Sequence, residues 1–184
     1  MNRILTGMTY LAAGVVVALT LGACATAPAS DEGKAAIEKD AGAVLAAAKA
    51  ADPTLGLVFS SAAGYAVFPT VGKAAAGLGG AYGKGVLYEG GRAVGYCDLT
   101  QATIGMQLGG QSYSEIIAFE SNEAVEIFKQ GNLGLTAQAT AVALKSGAGA
   151  NAKYTDGVAV FTMDEAGLMY EAAVGGQNFS YQAK

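Results

Sequence analysis

The spacing of hydrophobic residues divides the chain into a helical part and a strand-rich part. Residues 31–51 carry an apolar stripe at helical spacing, formed by Ile37, Ala41, Val44, Leu45 and Ala48. Pro53 ends this helix, and Thr54 is placed to cap a second, shorter one. Two of these five residues are alanine and the flanking charges are mixed in sign, which favours packing against a sheet over an interfacial membrane helix.

From residue 64 onward, alternating apolar and polar or glycine residues predict strands. One long bent strand is expected over residues 64–88, followed by a turn at Gly90-Gly91. Further strands are expected over residues 93–98, 101–108, 112–119, 136–145, 158–163, 168–174 and 177–182. One helix, residues 122–130, lies between them, with Ser121 as its N-cap and Gly131 as its stop. The pattern predicts an α+β fold: a curved antiparallel sheet or partly closed β-barrel with an N-terminal helical segment and one mid-domain helix.

Glycine is concentrated where the first strand is expected. Five of the nine residues from 77 to 85 are glycine, namely Gly77, Gly79, Gly80, Gly83 and Gly85. Glycine weakens a strand interior, so this cluster indicates a bulge, a bend, or the close approach of another backbone or a ligand. A dinucleotide-binding GxGxxG motif does not fit, because Tyr82 stands where the third glycine is needed.

The N-terminus has the pattern of a bacterial lipoprotein leader. Arg3 precedes an apolar run over residues 4–21, and the small residues Gly22 and Ala23 precede Cys24. This pattern predicts a signal peptide over residues 1–23, a tether over 24–30 with lipidated Cys24, and a single domain over 31–184. An uncleaved transmembrane anchor is the alternative, because about 18 apolar residues reach the lower limit for a span. Ala25 resembles the outer-membrane sorting signal, which predicts a lipid-anchored protein of the outer membrane facing the periplasm.

The composition of the chain narrows the partners and the catalytic chemistry that it can have. Cleavage after residue 23 would leave 10 basic and 15 acidic residues, a net charge of −5, which argues against nucleic acid as a partner. The chain has no histidine, which removes the commonest general base and metal ligand. With Cys24 acylated, Cys97 has no disulfide partner, and its apolar surroundings favour a core residue over a reactive thiol. We therefore expect a non-enzymatic protein without a metal or cofactor.

Several motifs, taken together, resemble the SYLF-domain family over residues 52–184. They are Pro69, Lys73, the glycine cluster, GVL at 85–87, GGQSYSE at 109–115 and GLMYEAAV at 167–174. That family tends to have Lys-Ala-Gly-Phe-Gly where this chain has KAAAG at residues 73–77. The phenylalanine is therefore missing here, and any contact that it makes in the family cannot be inferred for this chain. The resemblance implies a lipid-binding domain, since eukaryotic members are associated with phosphoinositide membranes, fungal members also with actin filaments, and bacterial members are mostly envelope lipoproteins.

Basic and tyrosine residues near the glycines are the candidate lipid contacts. The residues concerned are Lys73, Lys84, Arg92, Lys145, Lys153, Tyr82 and Tyr113. If the sheet curls, the cations would form a rim for the phosphates of anionic phospholipid, with the tyrosines at the interface. Solvated loop charges are the alternative, although Lys73 and Lys84 stand at positions that match the family motif. The sequence thus predicts binding of lipid head groups, or of a lipid within the bent sheet. The alternative is a protein-interaction module that contacts an envelope or host protein, by analogy with actin binding.

Overall fold

The structure is a computed structural model that describes residues 26–76, 78–104, 109–135, 142–143, 146–164 and 176–184. The helices are α1 (Asp31–Ala51), α2 (Leu55–Ser61) and α3 (Asn122–Lys129). The strands are β1 (Gly64–Ala76), β2 (Leu78–Glu89), β3 (Arg92–Ile104), β4 (Gly109–Phe119), β5 (Val142–Ala143), β6 (Val158–Asp164) and β7 (Gln177–Ala183). The predictions for Cys24, Gly77, Lys145 and residues 165–175 lie outside the described residues.

The strands form one sheet with the order β5-β6-β4-β1-β2-β3-β7. Every described pairing is antiparallel except that of the two-residue β5 with β6. Within the described residues β5 and β7 are the two edges and do not pair, so the sheet is open. The α+β prediction is confirmed.

Side-chain contacts between distant strands show that the sheet is strongly curved. Strands β4 and β7 are four strand spacings apart, about 19 Å in a flat sheet. Nevertheless, the Gln177 side-chain nitrogen on β7 donates a hydrogen bond to the Glu115 carboxylate on β4 at 3.0 Å. The rings of Phe68 on β1 and Phe179 on β7 lie 5.9 Å apart. The sheet therefore curls until its inner face meets itself, which confirms the predicted curvature.

Hydrophobic residues are buried on both faces of the sheet. The inner core lies within the curl and includes Phe68, Leu99, Ile117, Phe119 and Phe179, with Phe128 of α3 packed among them. The outer core lies beneath α1 and α2 and includes Ala41, Ala48, Val67, Val86, Ile116 and Phe161. The expectation that α1 packs against the sheet is confirmed.

Two predicted strand boundaries are wrong. Residues 64–88 do not form one bent strand: β1 and β2 are antiparallel neighbours, and Ala76 pairs with Leu78. The sequence hides this reversal because neither proline nor asparagine marks it. The predicted break after Asp98 is also absent, since β3 continues to Ile104. The Asp98 carboxylate accepts a hydrogen bond from Lys84, its partner on β2, so the strand accommodates the charge.

The structure confirms the predicted Gly90-Gly91 turn and the Ser121 cap, but not the Thr54 cap. Gly90 and Gly91 have φ angles of +53° and +75°, as a tight hairpin turn requires. Ser121 caps α3 by accepting a hydrogen bond from the Ala124 N–H at 3.2 Å, so both predictions are confirmed. The Thr54 prediction is wrong, because the Thr54 hydroxyl makes no cap bond to α2 and instead donates to Asp52 Oδ1 at 2.7 Å.

A bulge in β1 explains part of the glycine cluster. The register with β2 shifts between Val67 and Thr70. There, a Cβ on Gly85 would lie 2.7 Å from both the Phe68 ring and the Val67 carbonyl oxygen. At this position, therefore, the glycine admits a neighbouring strand of the same chain rather than a ligand.

Candidate functional site

Residues 26–28, which we call the N-terminal strap, lie against the outer face of the sheet. The Thr26 carbonyl oxygen accepts a hydrogen bond from Lys84 Nζ at 3.1 Å. The Ala27 N–H donates to the Gln182 side-chain oxygen at 3.1 Å, and Ala27 is buried. The hydroxyls of Thr26 and Ser180 are hydrogen-bonded at 3.1 Å. The segment expected to be a simple tether is thus docked onto β2 and β7 from residue 26.

The strap continues directly into α1. Ser30 caps this helix by accepting a hydrogen bond from the Gly33 N–H at 3.0 Å. Pro28 packs against the first turn, since a Cβ on Gly33 would lie 3.1 Å from the Pro28 Cβ. The chain from Thr26 to α1 therefore follows one path over the sheet.

Lys84 lies at the centre of a small polar group on this outer face. Its Nζ is 3.0 Å from Asp98 Oδ1 and 5.9 Å from the centre of the Tyr82 ring. Burial favours the neutral amine, but the hydrogen bonds with Asp98 and Tyr82 outweigh it, so the pKa of Lys84 lies above its ordinary value. Lys84 therefore remains charged at neutral pH. We call Tyr82, Lys84 and Asp98 the Lys84 group.

The Lys84 group offers both a charge and an aromatic surface to the solvent. Tyr82 is 47% exposed, and the side chain of Lys84 is 33% exposed, whereas Asp98 is buried. Beside it, a shallow cleft of about 360 Å³ runs between the strap, α1 and the β1 bulge. The cleft is lined by Pro28, Gly33, Ala36, Ile37, Asp40, Pro69, Thr70 and Lys84. The surface is amphipathic rather than strongly basic.

The structure does not gather the described basic residues into one rim. Lys73 pairs with Ala81 on β2, whereas Arg92 pairs with Glu89 at the other end of the same strand. Eight residues of strand separate these two positions on β2, which is about 26 Å.

Lys153 is also remote from Lys84. It is exposed and follows a segment in which the Gly149 N–H donates to Asp52 Oδ2 at 2.6 Å, at the junction of α1 and α2. This junction is at the end of α1 that is far from the strap. Tyr82 and Lys84 are in contact, with Lys84 Nζ 5.9 Å from the centre of the Tyr82 ring.

Tyr113 lies in the interior, so its interpretation as an interfacial tyrosine is wrong. It is 1% exposed, and burial together with the charge of Glu115 raises its pKa. It belongs to a buried polar group that sequence reasoning missed, composed of Gln101, Tyr113, Glu115, Thr162 and Gln177. Alternation along β4 gives the signal, because Glu115 shares a face with Ile117 and Phe119.

The described residues hold no metal-type cluster of three or more cysteine and acidic side chains. Among the same residues, no helix combines the length and apolar character that crossing a bilayer requires.

Comparison with known proteins gives one informative match. No family model matches the chain. The chain is 31% identical to Beta cell expansion factor A of Aeromonas veronii over 130 residues, which are 69% of this chain and 49% of that protein. The chain thus spans about half the length of this relative.

Proposed function

We propose that this chain is a membrane-anchored envelope lipoprotein whose domain binds lipid head groups through the Lys84 group, without enzymatic activity. The observation that carries the proposal is the exposed Tyr82 ring beside a lysine that stays protonated. A tyrosine ring suits the boundary between hydrocarbon and water, and the positive charge of the adjacent ammonium group attracts anionic lipid phosphate. Lys73 is not included in this outer-face site, because its partner on β2, Ala81, belongs to the inner core.

The interior of the curled sheet is a poorer place for an anionic head group. Glu115 is fully buried there, and its carboxylate accepts a hydrogen bond from Gln177. The rings of Phe68 and Phe179 also fill this interior, with their centres 5.9 Å apart. Packing therefore favours binding at the outer surface over a lipid held within the sheet.

With a lipid anchor at Cys24, even a weak surface site would be enough for the domain to bind lipid head groups. Acylation of this cysteine would hold the domain at the membrane at high effective concentration, so modest affinity for head groups would be enough. The proposed location is the outer membrane, on its periplasmic side.

Vesicle co-sedimentation tests the domain itself. Residues 26–184, which include every described residue and lack Cys24, are mixed with anionic or zwitterionic vesicles at low and moderate salt. Salt-sensitive binding to the anionic vesicles alone is expected. Lys84→Gln should weaken it about two- to fivefold, since one lysine near an anionic surface contributes about 1 kcal/mol and Asp98 offsets part of its charge.

Two variants provide matched charge controls. Arg92→Gln and Lys153→Gln remove one exposed positive charge each, far from Tyr82 and Lys84. Both should bind as the unmodified chain does and keep its melting temperature. Lys84→Gln should melt at a lower temperature because it leaves the buried Asp98 without its lysine partner, so binding is compared well below the melting temperatures of all variants. Equal losses in all three variants would contradict a localised site. If residues 26–184 bind neither vesicle type, the proposal that the domain itself contacts lipid is contradicted.

A protein-interaction module is the second candidate. The name of the relative describes an effect on beta cells, which is compatible with contact between such a protein and a host protein. Leu57 on α2 is 75% exposed and would suit such a contact. Cross-linking to a host-cell surface that is lost in Leu57→Glu, together with absent vesicle binding, would favour this alternative.

A further inference from the structure

We propose that the N-terminal strap sets the orientation of the domain, so that a membrane attached at Cys24 faces the surface that carries Tyr82, while α2 and α3 point away from it. The partner of this surface is a lipid bilayer. The inference rests on the proposed lipid anchor at Cys24 and adds the orientation of the domain relative to the membrane.

The contacts of the strap leave it little freedom to swing. Thr26 and Ala27 are bonded to β2 through Lys84 and to β7 through Ser180 and Gln182. Three bonds to two strands, with Ala27 buried between them, fix both the position of the segment and its direction.

The distance from the anchor to the folded domain is therefore short. Cys24 precedes Thr26 by two residues, so its Cα lies within about 7 Å of the Thr26 Cα. If residues 24–30 were instead a free tether, the same anchor could lie about 25 Å from α1. An anchor within about 7 Å of the folded domain keeps one surface of the domain at the bilayer. A free tether of about 25 Å would let the domain rotate.

Tyr82 lies beside the end of the strap. Lys84 Nζ is 3.1 Å from the Thr26 carbonyl oxygen and 5.9 Å from the centre of the Tyr82 ring. An exposed tyrosine that close to an acylated residue reaches the level of the lipid head groups.

The opposite end of the domain is defined by α2 and α3. Helix α1 begins just after the strap and runs for 21 residues, about 31 Å, before α2 begins. Helix α3 is held at Glu89 by a 2.7 Å salt bridge from Lys129, and Glu89 is five residues along β2 from Lys84, about 17 Å. Phe59 of α2 stacks near Tyr65, which contacts Tyr88, so both helices lie toward this end.

Single-tryptophan quenching tests the orientation. The sequence contains no tryptophan, so Tyr82→Trp, Leu57→Trp and Ile127→Trp each introduce one probe at an exposed position. The mature chain beginning at Cys24 is coupled through that thiol to maleimide lipid in zwitterionic vesicles containing a lipid-borne quencher. Cys97 does not compete, because it is fully buried. Quenching at position 82 should exceed quenching at 57 and 127 severalfold, and equal quenching at all three positions would overturn the proposal.

A second variant tests whether the strap is the cause. Ser180→Ala combined with Gln182→Ala removes two strap contacts from exposed positions on β7 without altering a core residue. Quenching at position 82 should then fall toward the level at position 57 while the melting temperature stays the same. An undiminished difference would show that the strap does not orient the domain.

Failure of this proposal is distinguishable from failure of the proposed function. Chemical coupling supplies the anchor whether or not cells acylate Cys24, and zwitterionic vesicles offer no anionic head groups. Loss of salt-sensitive binding by residues 26–184 would thus contradict head-group binding while leaving the orientation result valid.

Discussion

Replacing Asp52 with asparagine should destabilise the fold at neutral pH and remove much of its sensitivity to acid. Asp52 is fully buried where α1 ends. Its Oδ1 accepts hydrogen bonds from the Thr54 N–H at 3.0 Å and the Thr54 hydroxyl at 2.7 Å, and its Oδ2 accepts one from the Gly149 N–H at 2.6 Å. One carboxylate thus ties the helical segment to the loop that precedes β6.

The magnitude follows from the pKa of this carboxyl group. Burial opposes its ionisation, but the hydrogen bonds from Gly149 and Thr54 outweigh burial and lower the pKa from 3.8 to about 2. A shift of this size corresponds to roughly 2 kcal/mol of stability. Because the folded-state pKa is depressed, this stability is fully present above pH 3.8 and is lost as the pH falls through about 2. An asparagine amide would also direct a donor at one of the N–H groups.

Urea unfolding at several pH values measures the effect. At pH 7, Asp52→Asn should lower the free energy of unfolding by about 2 to 3 kcal/mol. The difference from the unmodified chain should shrink between pH 4 and pH 2, because the native carboxylate becomes protonated there. Asp40→Asn, at an exposed position on α1, is the matched control and should change stability by less than about 0.5 kcal/mol. A difference that is independent of pH would refute the reasoning.

Three further predictions concern packing, capping and thiol reactivity. Gly85→Ala should cost about 1 to 3 kcal/mol in urea unfolding because the new methyl group would meet the Phe68 ring at 2.7 Å. Gly72→Ala, with nothing within 4 Å, should cost nothing, and equal costs would contradict the bulge explanation. Ser121→Ala should lower the free energy of unfolding by about 1 kcal/mol through loss of the α3 cap, and an unchanged urea midpoint would show that the cap contributes nothing. Cys97 should react with a thiol reagent only after denaturation, because it is buried and burial raises its pKa, whereas fast labelling of the native protein would exclude its core placement.

The sequence predicted those elements whose signals are local. The Ser121 cap of α3 and the Gly90-Gly91 turn each depend on residues within a few positions of each other. The reversal between Ala76 and Leu78 was missed because the small residues around it, KAAAGLGG at 73–80, continue the pattern of the two strands that it joins. Local patterning therefore did not mark a boundary between them.

The candidate site was predicted less well than the fold. Lys84 and Tyr82, two of the seven candidates, are in contact because they lie two residues apart on one strand, and their role in lipid binding stays a prediction. The contact of Lys84 with Thr26 joins residues 58 positions apart, and the bond between Glu115 and Gln177 joins residues 62 positions apart. Such contacts depend on the curl of the sheet, which sequence spacing does not reveal.

The burial of both faces of β4 has a consequence for folding fidelity. Ile116 packs in the outer core and Ile117 in the inner core, so a slip of one residue would exchange two nearly equivalent side chains. Hydrophobicity alone therefore cannot select the correct pairing of this strand. The selection falls to polar partners, because the Ser114 hydroxyl donates to the Pro69 carbonyl oxygen at 2.7 Å and Glu115 meets Gln177. The SYSE segment at residues 112–115 thus specifies the register of β4, because a slip of one residue would separate Ser114 and Glu115 from their polar partners.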